Sequence, residues 1–153
     1  MTASIDDPVL LLTAAAGQAN QAIIEQLRAD GFTDTRYADG FVIQHLVPGP
    51  RPVGDLAPLL AVSQQAASKM IVDLERRGYV RRRASAEDGR VKLVELTDRG
   101  VAVVKAARRA RAKVVRRIQR SLGADADQFL DHLRVATEAL GGVDALLERR
   151  LRL

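Results

Sequence analysis

The sequence predicts a mainly α-helical chain carrying one small β-hairpin, and three observations lead there. Its 153 residues are 47% hydrophobic but only 3% aromatic, so the core must be aliphatic and alanine-rich, which suits closely approaching helices. Apolar residues recur at helical spacing through most of the chain, interrupted by glycine and proline. The stretch "YVRRRASAEDGRVKLVEL" instead reads as two strands around an Asp88-Gly89 turn.

The first helix is announced by Asp7 as N-cap and Pro8 at the first helical position, and it repeats apolar residues at Leu12, Ala16, Ala19, Ile23 and Leu27 until Gly31 ends it. "TDTRYADGFVIQHL" predicts a shorter second helix, closed by "VPGPRP", where three prolines forbid regular structure beyond a few strand-like residues around Pro52 and Val53. Two further helices divide near Ala61 and Val62, because Ser63 is a good N-cap for the second of them. That helix places Ala67, Met70, Ile71 and Leu74 on one face and Gln64, Gln65, Ser68, Lys69 and Val72 on the other. Gly78 stops it, and the hairpin follows. Thr97 and Asp98 offer a fresh N-cap for a long helix striped by Val103, Ala107, Ala110, Val114, Ile118 and Leu122. After a break at Gly123, a last amphipathic segment is expected to turn Phe129, Leu130, Leu133 and Leu140 inward and to kink or end at Gly141 and Gly142. "VDALLERRLRL" then supplies a short helical turn with Val143, Leu146, Leu147 and Leu151 in need of cover. No internal repeat or low-complexity linker is evident.

Lysine and arginine number 24 against 19 acids, a net charge of +5 that favours polyanionic partners, nucleic acid ahead of an anionic membrane. Without cysteine, disulfides, thiol redox sensing and cysteine-ligated zinc are excluded, and only His45 and His132 offer imidazole. The N-terminal stretch has Asp6 and Asp7 in place of a basic region, and its apolar run is too short to span a bilayer, so a cytoplasmic location is expected. An enzyme is not: there is no cysteine nucleophile, no paired His and carboxylate motif, no Gly-rich phosphate loop after a strand and no metal-ligand spacing. No cofactor is implied.

Helix, turn, helix, then a hairpin with a basic tip is the layout of a winged helix-turn-helix. B-DNA's major groove, about 12 Å wide, accepts one α-helix whose N-terminal residues meet base edges. Gln64 and Gln65 lie there, with Ser68 and Lys69 one turn on. A glutamine amide can pair bidentately with adenine, although the same face also suits an ordinary solvated helix. At the wing, Arg90 is the candidate for insertion into the minor groove, with Asp88 accepting from its guanidinium to hold it extended. Arg81, Arg82, Arg83 and Lys92 are candidates for phosphate contact, some of them facing elsewhere because strand residues alternate. Ser63 completes the DNA-binding set. A second basic cluster, Arg108, Arg109, Arg111, Lys113, Arg116, Arg117 and Arg120, reads first as a solvated helix face.

From Asp55 to about Gly100 the chain resembles the MarR family of bacterial transcription regulators, whose D-x-R wing corresponds to Asp88, Gly89 and Arg90, followed by Leu96, Thr97 and Gly100. It departs at Ala61, where the family often has glycine, and at Pro58 within the preceding helix. The resemblance implies a homodimer whose terminal helices interlock, here residues 1–32 and 98–153, around a winged helix-turn-helix at 33–97 that reads a pseudo-palindromic operator. It also implies a small, often aromatic or anionic effector in the crevice between the lobes, where Arg36, Tyr37, Phe41 and His45 are spaced along the expected second helix. The apolar stripes on the first and last helices independently point to a two-fold partner. The rival reading is a winged-helix module that mediates protein pairing without reading DNA.

Overall fold

The computed structural model describes residues 6–142. It places the elements in the order α1 (Pro8–Ala29), α2 (Asp39–Leu46), β1 (Arg51–Pro52), α3 (Val53–Leu60), α4 (Gln64–Arg76), β2 (Val80–Ala84), β3 (Lys92–Leu96), α5 (Asp98–Leu122), a single 3₁₀ turn (Gly123–Asp125) and α6 (Ala126–Ala139). The mainly helical chain with a hairpin wing is therefore the observed architecture. The strands form one antiparallel sheet in the order β1-β3-β2, with Arg81 opposite Glu95 and Arg51 opposite Val94.

Local chemistry accounts for most boundaries. Asp7 caps α1 by accepting from the backbone N–H groups of Val9 and Leu10, with Pro8 at the first helical position. Ser63 caps α4 through Ala66 N–H, and Thr97 caps α5 through Gly100 N–H. Gly31, Gly78 and Gly123 leave their helices at positive φ, where a Cβ would be strained. Ala61 does the same without glycine's freedom: its φ of 56° and ψ of 41° put an L-alanine in the left-handed region between α3 and α4.

Three expectations are corrected. The second helix starts only at Asp39, whose carboxylate accepts from Arg36 N–H three residues back; Arg36 and Tyr37 therefore precede the helix. The hairpin does not close on a two-residue Asp-Gly turn. Gly89 and Arg90 are the central pair of a turn closed by Val91 N–H on the Asp88 carbonyl, within a loop spanning residues 85–91. Finally, α6 buries none of its residues: Phe129, Leu130 and Leu140 are exposed, Leu133 half-buried, and His132 exposed beside them. The C-terminal leucines of "VDALLERRLRL" lie outside the described residues.

One core joins the winged lobe to the helices that flank it. Leu56, Leu60, Ile71, Leu74, Tyr79, Val80 and Val94 pack with Leu27 of α1 and Val103, Val104 and Ala106 of α5. Beyond that contact the flanking helices emerge: Val9 to Leu12 on α1 and Val115 and Ile118 on α5 are exposed. The half of each stripe nearer the sheet finds cover within the chain, and the other half does not.

The junction of wing and long helix is the tightest point. Thr97 Oγ1 donates to the Gly78 carbonyl at 2.6 Å while Thr97 N–H donates to the Tyr79 carbonyl at 3.1 Å. A Cβ on Gly100 would collide with that same Tyr79 carbonyl, a backbone atom that cannot swing away. Gly100→Ala is expected to destabilise the chain by about 1–3 kcal/mol, the usual range for overpacking. Ala61→Gly is expected to stabilise it by up to about 1 kcal/mol, relief of left-handed strain less the added chain entropy. Urea unfolding of the two variants checks both signs.

Candidate nucleic-acid interface

The outward face of α4 is exposed along Gln64, Gln65, Ser68, Lys69 and Val72, while Ala67, Ile71 and Leu74 are buried. Gln65, Ser68, Lys69, Val72, Asp73 and Arg76 line a shallow open groove along the helix. Two of the predicted contact residues have internal work. Ser63 Oγ holds the N-terminus of α4, and Gln64 Nε2 donates to the Gly54 carbonyl of α3 at 3.1 Å. Gln65, Ser68 and Lys69 make no side-chain hydrogen bond among the described residues.

Carboxylates sort the wing arginines. On one face of the sheet Glu95 receives Arg81 Nε at 2.7 Å and Arg83 Nε at 2.9 Å. The pair of guanidiniums, Arg83 foremost, holds the Glu95 carboxyl below its ordinary pKa. Arg82 points to the other face, 3.6 Å from the Glu75 carboxylate of α4, which also accepts Arg82 N–H. The three strand arginines are thus tied to acids, and Arg90 and Lys92 are the wing cations without an acidic partner among the described residues. Asp88 differs from its expected role: Oδ1 accepts from the Arg90 backbone N–H at 2.9 Å, not from its guanidinium. It shapes the turn and leaves the side chain free.

At the opposite end of α4 lies a polar cluster that sequence reasoning missed. Arg77, only 9% exposed, donates to both oxygens of buried Asp39 at 2.7 and 2.8 Å, to Asp73 at 2.7 Å and to the Asp34 carbonyl at 2.8 Å. Asp73 also receives Arg36 at 2.9 Å and Arg76 at 2.6 Å. Beside it, the fully buried Tyr79 hydroxyl donates to Asp34 at 2.6 Å and meets Thr35 Oγ1 at 2.9 Å, with the Arg99 guanidinium 4.7 Å above the ring. The hydrogen bond that Arg77 donates to Asp39 raises the pKa of Arg77 further, against the effect of burial, so the guanidinium stays charged. The Tyr79 hydrogen bond lowers the Asp34 pKa; at Asp73, burial pulls upward but Arg77 and its neighbours win, and the pKa is lowered. Burial and the neighbouring Asp34 raise Tyr79.

The effector candidates divide. Arg36 is drawn to Asp73 on α4. Tyr37, more than half exposed, sits edge-on to Phe41 with ring centroids 5.5 Å apart. His45 is half-buried on α2, and its carbonyl accepts from Arg51 Nε at 2.7 Å. Among the described residues no His, Asp and Glu group could hold a metal ion, and no helix is long and apolar enough to cross a membrane.

Residues 39–91 match the family model of the MarR family. No curated protein matches the chain. Solved structures do: a mutant of MepR from S. aureus is 19% identical with a TM-score of 0.72, covering 88% of this chain and 98% of that one. The reduced form of MarR from E. coli is 21% identical with a TM-score of 0.67 over the same shares. A second MepR mutant, bound to an oligodeoxyribonucleotide, is 20% identical with a TM-score of 0.65, covering 89% and 99%. At these identities the likeness establishes a shared fold.

Two outcomes are expected from the polar cluster. Arg77→Ala, which strands a buried carboxylate, costs about 3–5 kcal/mol in urea unfolding. Because Asp34 and Asp73 are lowered in the folded chain, their contribution is complete above the ordinary aspartate value of about 3.9 and is lost as pH falls through the folded values. Tyr79 is raised, so its contribution is lost in the alkaline direction, beginning near the ordinary value of about 10. Urea midpoints measured across pH test both limbs, and the acid limb flattens in an Asp34→Asn, Asp73→Asn double variant.

Proposed function

We propose, because residues 39–91 match the family model of the MarR family, that this chain is a sequence-specific double-stranded-DNA-binding transcription regulator, a homodimeric repressor released by a small ligand. The supporting observation is the sorting of side chains just described: Gln65, Ser68, Lys69, Arg90 and Lys92 face solvent without protein partners among the described residues, whereas Arg81, Arg82 and Arg83 are held by Glu95 and Glu75. A helix end with free amide, hydroxyl and ammonium groups suits the major groove, and a free guanidinium on a projecting turn suits the adjacent minor groove. The MepR structure bound to an oligodeoxyribonucleotide has the same fold, which supports the same use here.

The homodimer is supported by the exposed apolar ends of three helices, Val9 to Leu12, Val115 and Ile118, and Phe129, Leu130, Val135 and Leu140. Apolar surface of that extent on adjoining elements favours a partner, and a second copy offers the same surface. In this reading residues 1–32 and 98–153 carry the dimer and 33–97 the DNA contacts. An aromatic or anionic effector would find the exposed Tyr37 ring against Phe41 and the Arg36 guanidinium nearby in sequence. Arg36 is bonded to Asp73 of α4, so a ligand that recruits it changes a contact of the DNA-facing helix.

Selection of bound fragments from random duplexes is expected to return a palindrome. On that operator Arg90→Ala weakens binding roughly tenfold and lowers the salt slope by about one, with the dimer unchanged in sedimentation. Equal affinity at physiological salt counts against the wing assignment. Affinity independent of sequence would favour the alternative, a winged-helix pairing module.

A further inference from the structure

The helix α3 has a defect, and α4 repairs it. In an uninterrupted helix the carbonyl of Gly54 accepts from the N–H four residues on; residue 58 is proline and has none. The donor that reaches Gly54 O is Gln64 Nε2, at 3.1 Å, from the first residue of α4. Between the two helices the chain turns through Ala61 in the left-handed region, where alanine is disfavoured. The turn thus lacks both of the usual local supports, an intact preceding helix and a glycine, and the Gln64 amide bridges it directly.

We infer that Gln64 is a positioning residue that fixes the first turn of α4 against α3, and that Gln65 alone of the pair determines base preference. The inference rests on the proposed DNA-binding function. Aiming the Gln64 amide at a base would leave the Gly54 carbonyl without its donor just where a duplex displaces the water that could replace it. Gln65, one residue on, is exposed, lines the open groove with Ser68 and Lys69, and makes no bond to the described chain. A bidentate pairing with adenine costs it no internal contact.

The test is a cycle of four chains, wild type, Gln64→Ala, Pro58→Ala and the double variant, alongside Gln65→Ala. Pro58→Ala restores the N–H that Gly54 O lacks. In urea unfolding, Gln64→Ala is expected to lower the folding constant about fivefold in the wild-type background, the net effect of one hydrogen bond, and by less than about twofold beside Pro58→Ala. Against a panel of duplexes differing at single base pairs, Gln64→Ala should weaken every duplex by one common factor, while Gln65→Ala should reorder the panel at one position. Equal stability losses in both backgrounds, or a Gln64→Ala variant that reorders the panel, overturns the inference. If wild type binds no duplex selectively, the regulator reading fails, and the unfolding cycle still decides whether Gln64 braces Gly54.

Discussion

A buried guanidinium with unsatisfied donors is costly, and the winged lobe is arranged around satisfying those of Arg77. Its acceptors come from two stretches of sequence: the loop and first turn of α2, through the Asp34 carbonyl and Asp39, and Asp73 one turn back on α4. Breaking the pair with Asp39 would strand two nearly buried charges, and losing either other acceptor would leave a guanidinium donor unsatisfied, each of which is costly. The ion pairs therefore act less as a source of net stability than as a rule of geometry. They fix the C-terminal end of α4 against the loop that carries Arg36 and Tyr37. Tyr79 and Arg99 extend the rule across the start of the sheet to α5.

The same principle, applied on the surface, gives the candidate interface its pattern. Eight positions on or beside the wing and α4 carry positive charge between Lys69 and Lys92, but charge that is already paired is a weak attractor. Glu95, Glu75, Asp73 and Asp39 neutralise most of it locally. What remains unpaired is a short list at the two ends that matter, Lys69 on the helix and Arg90 and Lys92 at the wing. The dense arginine run that first draws attention in the sequence is the sheet's own ladder, and the turn beyond it is the exposed tip.

Legibility in the sequence followed the range of the interaction. Caps and stops act over a few residues, so Asp7 with Pro8, Ser63, Thr97, Gly31, Gly78 and Gly123 could be read directly, and with them the element order and the hairpin. The burial of Arg77 could not, because five arginines crowd that stretch and nothing local says which one meets Asp39, 38 positions away. The bond from Gln64 to Gly54 was hidden for a related reason: helical periodicity says that Gln64 faces outward, not that the carbonyl orphaned by Pro58 lies within its reach. The apolar stripe of α6 was visible, but a stripe does not say whether its cover comes from the same chain. Phe129, Leu130 and Leu140 were expected inside and are exposed. At the tip, the Asp-Gly pair signalled a turn correctly but not its register, since Asp88 can bond its side chain to the backbone of Arg90 and shift the corner by one residue.

The crowded contact of Gly100 with the Tyr79 carbonyl has a mechanical meaning. A joint with no space for a methyl group has no slack, and Thr97 rivets it from both sides. The hairpin and the first turns of α5 are thereby one lever: a tilt of the long helix carries the wing tip with it through the same angle, and the tip's travel grows with its distance from the joint. Past Ala110, the last residue of α5 that is buried, the long helix is no longer held by core packing.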